Sequence, residues 1–425
     1  MKLLHRHNSP PSQSKFMRKV SAVLCILIAS IGLYLASCNT TSDQRTNSPA
    51  PVQDIPDWGA PPPRKTAPRP APPRDISFGN KETPAIQALP EGAYHRVDVL
   101  YGTSRARTGE EDPNAFYGIE RGQLEYGVCQ VSIPLDHEVG QLESPTWWKF
   151  EFSEDPEDHL MLRQVVPLEW DSFTSALRQM ADESEGSNAF VFIHGYNVTF
   201  RDAARRTAQI HHDLKFDGVP TFFSWPSQGE ITLTSYTRDE TNAKWSYSLL
   251  EEFLAKFADE SEVENLYLVA HSMGTRVLSN AIADLMQNRP ELEGRFKEII
   301  LAAPDIDADV FKKDLAPRLQ QAALNTTLYA NEDDRALMTS REVHGGYPRA
   351  GDAGENLVVI EGIDTIDATG TDSSLLRHSY FAEAFSIIED IREMVNLSKP
   401  ADQRSNITPA NSADGNLPYY RVQSP

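Results

Sequence analysis

The sequence predicts a doubly wound α/β fold, a mostly parallel sheet with helices on both faces and antiparallel strands leading into it. Three observations predict it. Six short apolar runs recur from residue 189 to residue 360, continuous rather than alternating, as strands covered on both faces require. Stripes of apolar residues at helical spacing lie between them. Upstream, residues 94–152 carry alternating segments such as YGVCQVSI, the pattern of antiparallel strands.

The expected strands are AFVFI (189–193), VPTFFS (219–224), LYLVA (266–270), IILAA (299–303), TTLYA (326–330) and LVVI (357–360). One helical face runs Trp245, Leu249, Leu250, Phe253, Phe257, and a second runs Val277, Leu278, Ala281, Ile282, Leu285. A last stripe joins Phe381, Ala384, Phe385, Ile388, Ile391 and Val395. Strand and helix in alternation give the doubly wound order. Hydrophobic content of 40% and charged content of 24% place the chain among ordinary globular proteins. The formal net charge of −21 argues against a nucleic-acid partner.

The flanks read differently. Lys15, Arg18 and Lys19 precede the uncharged run VSAVLCILIASIGLYLAS, which ends at Cys38, so residues 1–37 are expected to be an export signal. LASC, Leu35 to Cys38, resembles the lipobox of bacterial lipoproteins, which implies acylation of Cys38 and a membrane tether; Asn39 favours the outer membrane. An uncleaved anchor is the alternative, since about 18 apolar residues just span a bilayer. Residues 38–93 form a proline-rich linker, including PPPRKTAPRPAPPR, and proline at that density excludes helix and sheet. The folded domain is expected over 94–397 and a disordered tail over 398–425. Cys129 shares strand parity with Val131 and Ile133, as a small core residue would.

The candidate chemistry lies at LVAHSMGTR, residues 268–276. Ser272 falls where the LYLVA strand meets the helix that begins before Val277. Two readings compete: a serine that caps the helix, or a nucleophile on a sharp strand-to-helix turn. Such a turn needs small residues two before and two after the serine, and Ala270 and Gly274 meet that demand. A nucleophilic serine also needs a base, an acid and oxyanion donors. FIHGYN (192–197) follows an earlier strand; Gly195 permits a tight turn, and the backbone N–H groups of Tyr196 and Met273 are the candidate donors. The order Ser–acid–His places the base at His378 in RHSYF, with His344 in VHGGYP as rival. The acid is sought in YANEDDRAL (329–337) or APDID (303–307), where each aspartate can equally cap a helix. The segment WPSQGEITLTSYTRDETNAKW (225–245) is expected as a loop walling the pocket, with Trp225 and Tyr236 as substrate contacts, though Trp225 can equally be core. FSEDPEDH and GEEDPN read as solvated loops, so neither a metal nor a cofactor is expected.

VFIHGYNVTF, FFSWPSQG, VAHSMGTRVL, LAAPDIDADVF, NEDDRAL and HSYF together resemble a bacterial α/β-hydrolase family of unassigned substrate, esterase- or lipase-like. VLYGTSRA and YGIERGQLEYGVCQVSIP resemble its N-terminal portion, so the likeness spans roughly residues 95 to 395. It implies the hydrolase fold and a Ser–Asp–His triad. Within it, Asp334 precedes Arg335 as in the family's aspartate–arginine pair, which favours Asp334 over Asp333, with Asp305 as the reserve acid. The expected function is hydrolysis of a small-molecule or lipid carboxylic ester through an acyl-enzyme, at the periplasmic side of the cell envelope. An inactive envelope scaffold, or an acyltransferase using the same triad, are the alternatives.

Overall fold

The computed structural model describes residues 94–143, 155, 158–229, 233–371, 384–412 and 417–423, all within the unit spanning 70–425. Eleven strands form one sheet: β1 (Tyr94–Arg107), β2 (Tyr117–Pro134), β3 (Met161–Leu168), β4 (Asn188–Ile193), β5 (Val219–Ser224), β6 (Asn265–His271), β7 (Phe296–Ala302), β8 (Ala323–Ala330), β9 (Asp364–Asp367), β10 (Ile407–Asn411) and β11 (Pro418–Val422). Their spatial order is β10-β11-β9-β8-β7-β6-β4-β5-β1-β2-β3. β1, β2 and β3 pair antiparallel, as expected, and β1 then pairs parallel with β5. From β5 to β9, and on to β11, neighbouring strands are parallel.

The helices are α1 (Trp170–Asp182), α2 (Phe200–Leu214), α3 (Leu233–Trp245), α4 (Tyr247–Glu260), α5 (Met273–Asn288), α6 (Ala316–Ala322), α7 (Arg335–Val343) and α8 (Phe385–Leu397). Successive strand residues divide between two cores. Val191, Ile193, Leu268 and Leu301 face α1, α4, α5 and α6, while Phe190, Phe192, Val269 and Ile300 face α2 and α8. That two-sided burial is why the strands read as unbroken apolar runs. Cys129 is a buried core residue of β2. Among the described residues no helix is long and apolar enough to cross a membrane.

Four expectations need correction. LVVI (357–360) is not a strand; a turn from Ile360 to Ile363 and the positive φ of Gly362 follow it, and β9 begins only at Asp364. The apolar run is real, but Val358 packs on the core from outside the sheet. Segment 225–245 is not all loop, because α3 occupies its second half. The buried positions of α3 include Ser235, Asp239 and Asn242, so the helix lacks the apolar stripe by which a sequence betrays one. Residues beyond 397 do not form a disordered tail: β10 and β11 extend the sheet, burying Ile407, Tyr419 and Val422. Buried Arg404 pairs with Asp390 of α8 at 3.1 Å. Finally, Phe385 is exposed and Ile387 takes its place on the inner face of α8.

Candidate active site

β4 ends between the two strands that follow it, β5 on one side and β6 on the other. The chain thus reverses direction across the sheet at β4, and the crevice beyond such a switch point is where α/β sheets bind ligands. Register then sets the site. Ile193 pairs with Ala270, so His194–Gly195, just past the end of β4, lie beside His271 at the end of β6 and Ser272 just beyond it.

Ser272 has φ 53° and ψ −126°. A non-glycine residue in that region costs on the order of 1–3 kcal/mol and persists only where its surroundings enforce it. Here they do. Its N–H donates to Ala302 O at 2.9 Å, and its carbonyl accepts from the N–H and hydroxyl of Thr275 at 3.0 and 2.6 Å. The Ser272 side chain makes no capping hydrogen bond to α5. The helix-cap reading therefore fails, and the strained turn is what the residue builds.

Small residues make that turn possible. A Cβ on Gly274 would stand 2.3 Å from His194 O and 2.5 Å from Ile193 O, both rigid backbone atoms. A Cβ on Gly195 would come within 2.9 Å of Ser272 Cβ. Ala270 is fully buried beneath them.

The loop after β4 is held from behind by groups that the sequence reading passed over. Arg105 of β1 is buried, and no carboxylate hydrogen-bonds it among the described contacts. Its Nε donates to Ser224 Oγ at 2.7 Å, and its terminal nitrogens donate to the carbonyls of Gly118, Ser227 and Val198 at 3.0, 3.0 and 2.7 Å. Burial lowers its pKa to about 9. Ser224 Oγ lies 3.1 Å from His194 Nε2, while His194 Nδ1 lies 2.9 Å from Gly195 O. Burial, then the Arg105 charge, lowers the His194 pKa to about 3. A neutral ring that donates from Nδ1 and accepts at Nε2 satisfies both contacts. Because a trans peptide points its C=O and N–H in opposite directions, fixing Gly195 O also fixes the N–H of Tyr196. Asp239 of α3 completes the brace, accepting from Ser227 Oγ at 2.5 Å and from the N–H of Gln228 at 2.9 Å. No sequence signal singles out Arg105, since β1 also carries Arg96, Asp98 and Arg107.

Trp225 belongs to this brace. It is fully buried, stacks on His194 with ring centroids 5.1 Å apart, and donates from Nε1 to His194 O at 2.8 Å. The expectation that it touches substrate is corrected: the core claims its ring. Tyr236 is half-buried, its ring edge-on to Tyr196 at 5.3 Å and its hydroxyl donating to Asp305 Oδ2 at 2.7 Å.

The two candidate acids differ in surroundings. Asp305, after β7, has both oxygens occupied: Oδ1 by Ser340 Oγ at 2.5 Å and Arg349 Nε at 2.9 Å, Oδ2 by Tyr236 and by Arg276 at 3.3 Å. Burial alone would raise its pKa, but Arg276 and Arg349 outweigh it and hold the carboxyl well below the usual range. Arg276 also pairs with Glu240, and Glu240 meets His344 Nε2 at 3.0 Å, so the rival histidine is bound into this network. Asp334, after β8, is buried and caps α7, its Oδ1 accepting from the N–H groups of Ala336 and Leu337 at 3.0 Å. The capping role foreseen for an aspartate here is present. β8 lies two strands from β6, about 10 Å across the sheet. His378 and Cys38 lie outside the described residues, as do the signal and the linker.

A mostly parallel sheet, with a strained serine turn at its switch point and a glycine-bearing loop beside it, defines an α/β hydrolase. The chain belongs to the family described as alpha/beta hydrolase of unknown function (DUF900), whose model matches residues 169–395. No curated protein matches the chain in sequence. Among solved structures it is similar to lipase B of Aspergillus fumigatus (9% identity, TM-score 0.35), the match covering 55% of this chain and 59% of that one. It is similar also to a lipase-esterase related protein of Clostridium acetobutylicum (10% identity, TM-score 0.27, 50% and 95% covered). Phospholipase PlaB of Legionella pneumophila is a third (11% identity, TM-score 0.27, 56% and 69% covered). The chain thus spans less than two thirds of the length of lipase B, and the likeness is distant in each case.

Proposed function

We propose that the protein is a serine hydrolase of carboxylic esters, small-molecule or lipid, working through an acyl-enzyme. Ser272 is the nucleophile, His378 the base that takes its proton and returns it to the leaving alcohol, and Asp334 the acid that orients His378. The N–H groups of Tyr196 and Met273 receive the developing oxyanion. Met273 opens α5, where N–H groups lack partners within the helix and the helix dipole favours negative charge. The observation that carries the reading is Ser272 itself, strained at φ 53° with no capping bond to account for it. Strain held at a strand-to-helix turn is the mark of a nucleophile elbow. For the acid, Asp334 after β8 precedes Arg335 as in the family's aspartate–arginine pair, which favours it over Asp305. The ring of Tyr236, beside Tyr196, is the proposed substrate contact.

The same proposal includes the tether. Cys38 carries the lipid and holds the hydrolase at the periplasmic face of the outer membrane. Fluorophosphonate labelling of wild type but not of Ser272→Ala, with turnover across p-nitrophenyl esters of graded chain length, tests the enzyme. A wild type that neither labels nor turns over any ester would make it a scaffold instead.

A further inference from the structure

At the far end of α2 from the serine turn, two histidines and an aspartate converge from separate segments. His137 lies in the connection after β2, and His212 and Asp213 lie in the last turn of α2. α2 begins just after the loop that follows β4 and has 15 residues, so this end stands about 20 Å away along the helix.

The donor atoms face one another. His137 Nε2 is 2.8 Å from Asp213 Oδ1, and His212 Nδ1 is 3.6 Å from the same oxygen. One ligand atom from each of the three lies within 4.8 Å of the others. His137 and Asp213 side chains are 1% exposed, and His212 Nδ1 is a buried nitrogen with no hydrogen-bond partner. Bonds of about 2.0–2.2 Å to nitrogen and oxygen fit a cation into such a triangle with small shifts.

The outer contacts fit the same use. His137 Nδ1 meets Glu143 Oε1 at 2.8 Å, the carboxylate–histidine relay that fixes a ligating ring's tautomer and aims its other nitrogen. Asp213 Oδ2 accepts from the N–H of Gly140 at 2.8 Å and from Gln209 Nε2 at 2.6 Å, which orients Oδ1 inward. The cluster matches no ligand spacing in the sequence, because His137 lies far upstream of the adjacent pair His212 and Asp213.

We propose that His137, His212 and Asp213 bind a divalent transition-metal cation of the Zn²⁺ class, with solvent completing the coordination. Two imidazoles and a carboxylate suit that class better than the all-oxygen sets of Mg²⁺ or Ca²⁺. On binding, the proton that His137 Nε2 shares with Asp213 passes to solvent, and Nδ1–H goes on donating to Glu143. The ion clamps the connection after β2 onto α2, a structural role independent of ester hydrolysis.

The test uses the untagged full-length chain, stripped with EDTA and titrated with ZnCl2 in a calorimeter. One equivalent should bind, and the thermal midpoint should rise by several degrees. His212 is 35% exposed, so His212→Ala should fold, with circular dichroism as the check, and bind at least tenfold more weakly. Glu143→Gln keeps all three ligands and should weaken binding about 10- to 100-fold. Absence of stoichiometric binding by wild type, or equal affinity in wild type and a folded His212→Ala, would overturn the site. His137 would then simply bridge two carboxylates as a protonated ring.

Discussion

Gly274 and His194 meet backbone to backbone: a Cβ added to the glycine would stand 2.3 Å from the histidine's carbonyl oxygen. Neither side can yield, since one is the first turn of α5 and the other the loop fixed by Arg105 and Trp225. Gly274→Ala should therefore destabilise the fold by roughly 1–3 kcal/mol, in the range of overpacked cores. It should also move Ser272 from the proposed oxyanion donors, so ester turnover falls further than folded fraction. A Gly274→Ala protein with wild-type melting temperature and turnover would contradict that close approach.

Ser272→Ala should keep the fold and lose ester turnover by several orders of magnitude. Alanine at φ 53° is no less strained than serine, so the melting temperature should hardly change. Turnover near wild type on an ester the parent cleaves would remove the serine from the chemistry.

The two aspartates should separate by phenotype. Asp334→Asn is expected to cut turnover by orders of magnitude with folding largely kept, because asparagine still offers an oxygen to cap α7. Asp305→Asn leaves Arg276 and Arg349 without their shared buried carboxylate, a loss of about 3–5 kcal/mol. Denaturant melts and ester assays on both variants decide it. If Asp305→Asn is stable but inactive and Asp334→Asn is active, the acid follows β7.

Arg105→Lys tests the brace behind the loop. A lysine keeps the charge but cannot span the three carbonyls and Ser224 at once. Turnover should fall at least tenfold with KM little changed, because the proposed oxyanion donors shift while the proposed substrate contact at Tyr236 stays. An unchanged kcat would mean that the loop holds its shape without the guanidinium.

Glu298 predicts a pH dependence. It is buried in β7, accepting from Thr327 Oγ1 at 2.8 Å, and burial raises its pKa from 4.5 to about 7. The folded state thus holds a proton that the unfolded chain releases nearer 4.5. Its stabilising effect is complete below about 4.5 and is lost as pH rises through 7. Glu298→Gln should flatten the stability profile between pH 5 and 8, with a gain of up to about 3 kcal/mol at the upper end. Parallel profiles for the two proteins would show that Glu298 does not titrate in this window.

What the sequence could reveal follows from what kind of burial each residue has. The central strands were legible because two-sided apolar burial leaves an unbroken run, and the Ser272 turn because its steric demand falls on neighbours two residues away. α3 was not legible, since Ser235, Asp239 and Asn242 are buried through hydrogen bonds that no hydropathy pattern records. Trp225 was legible as large and apolar, yet only its stacking on His194 tells core from pocket wall. β10 and β11 escaped because each is five residues long, with a few buried side chains among exposed polar ones.

That terminal ribbon has a consequence for how the protein must be made. β9 pairs on one side with β8 and on the other with β11, which the chain supplies only after α8 is complete. During synthesis the open flank of β9 offers its backbone N–H and C=O groups to any passing strand, the ordinary route to edge-to-edge association. A gene cut after α8 would make that transient hazard permanent and strip Asp390 of its Arg404 partner as well. Expression boundaries drawn from the family match alone, which stops at residue 395, would thus yield a sticky, poorly soluble product.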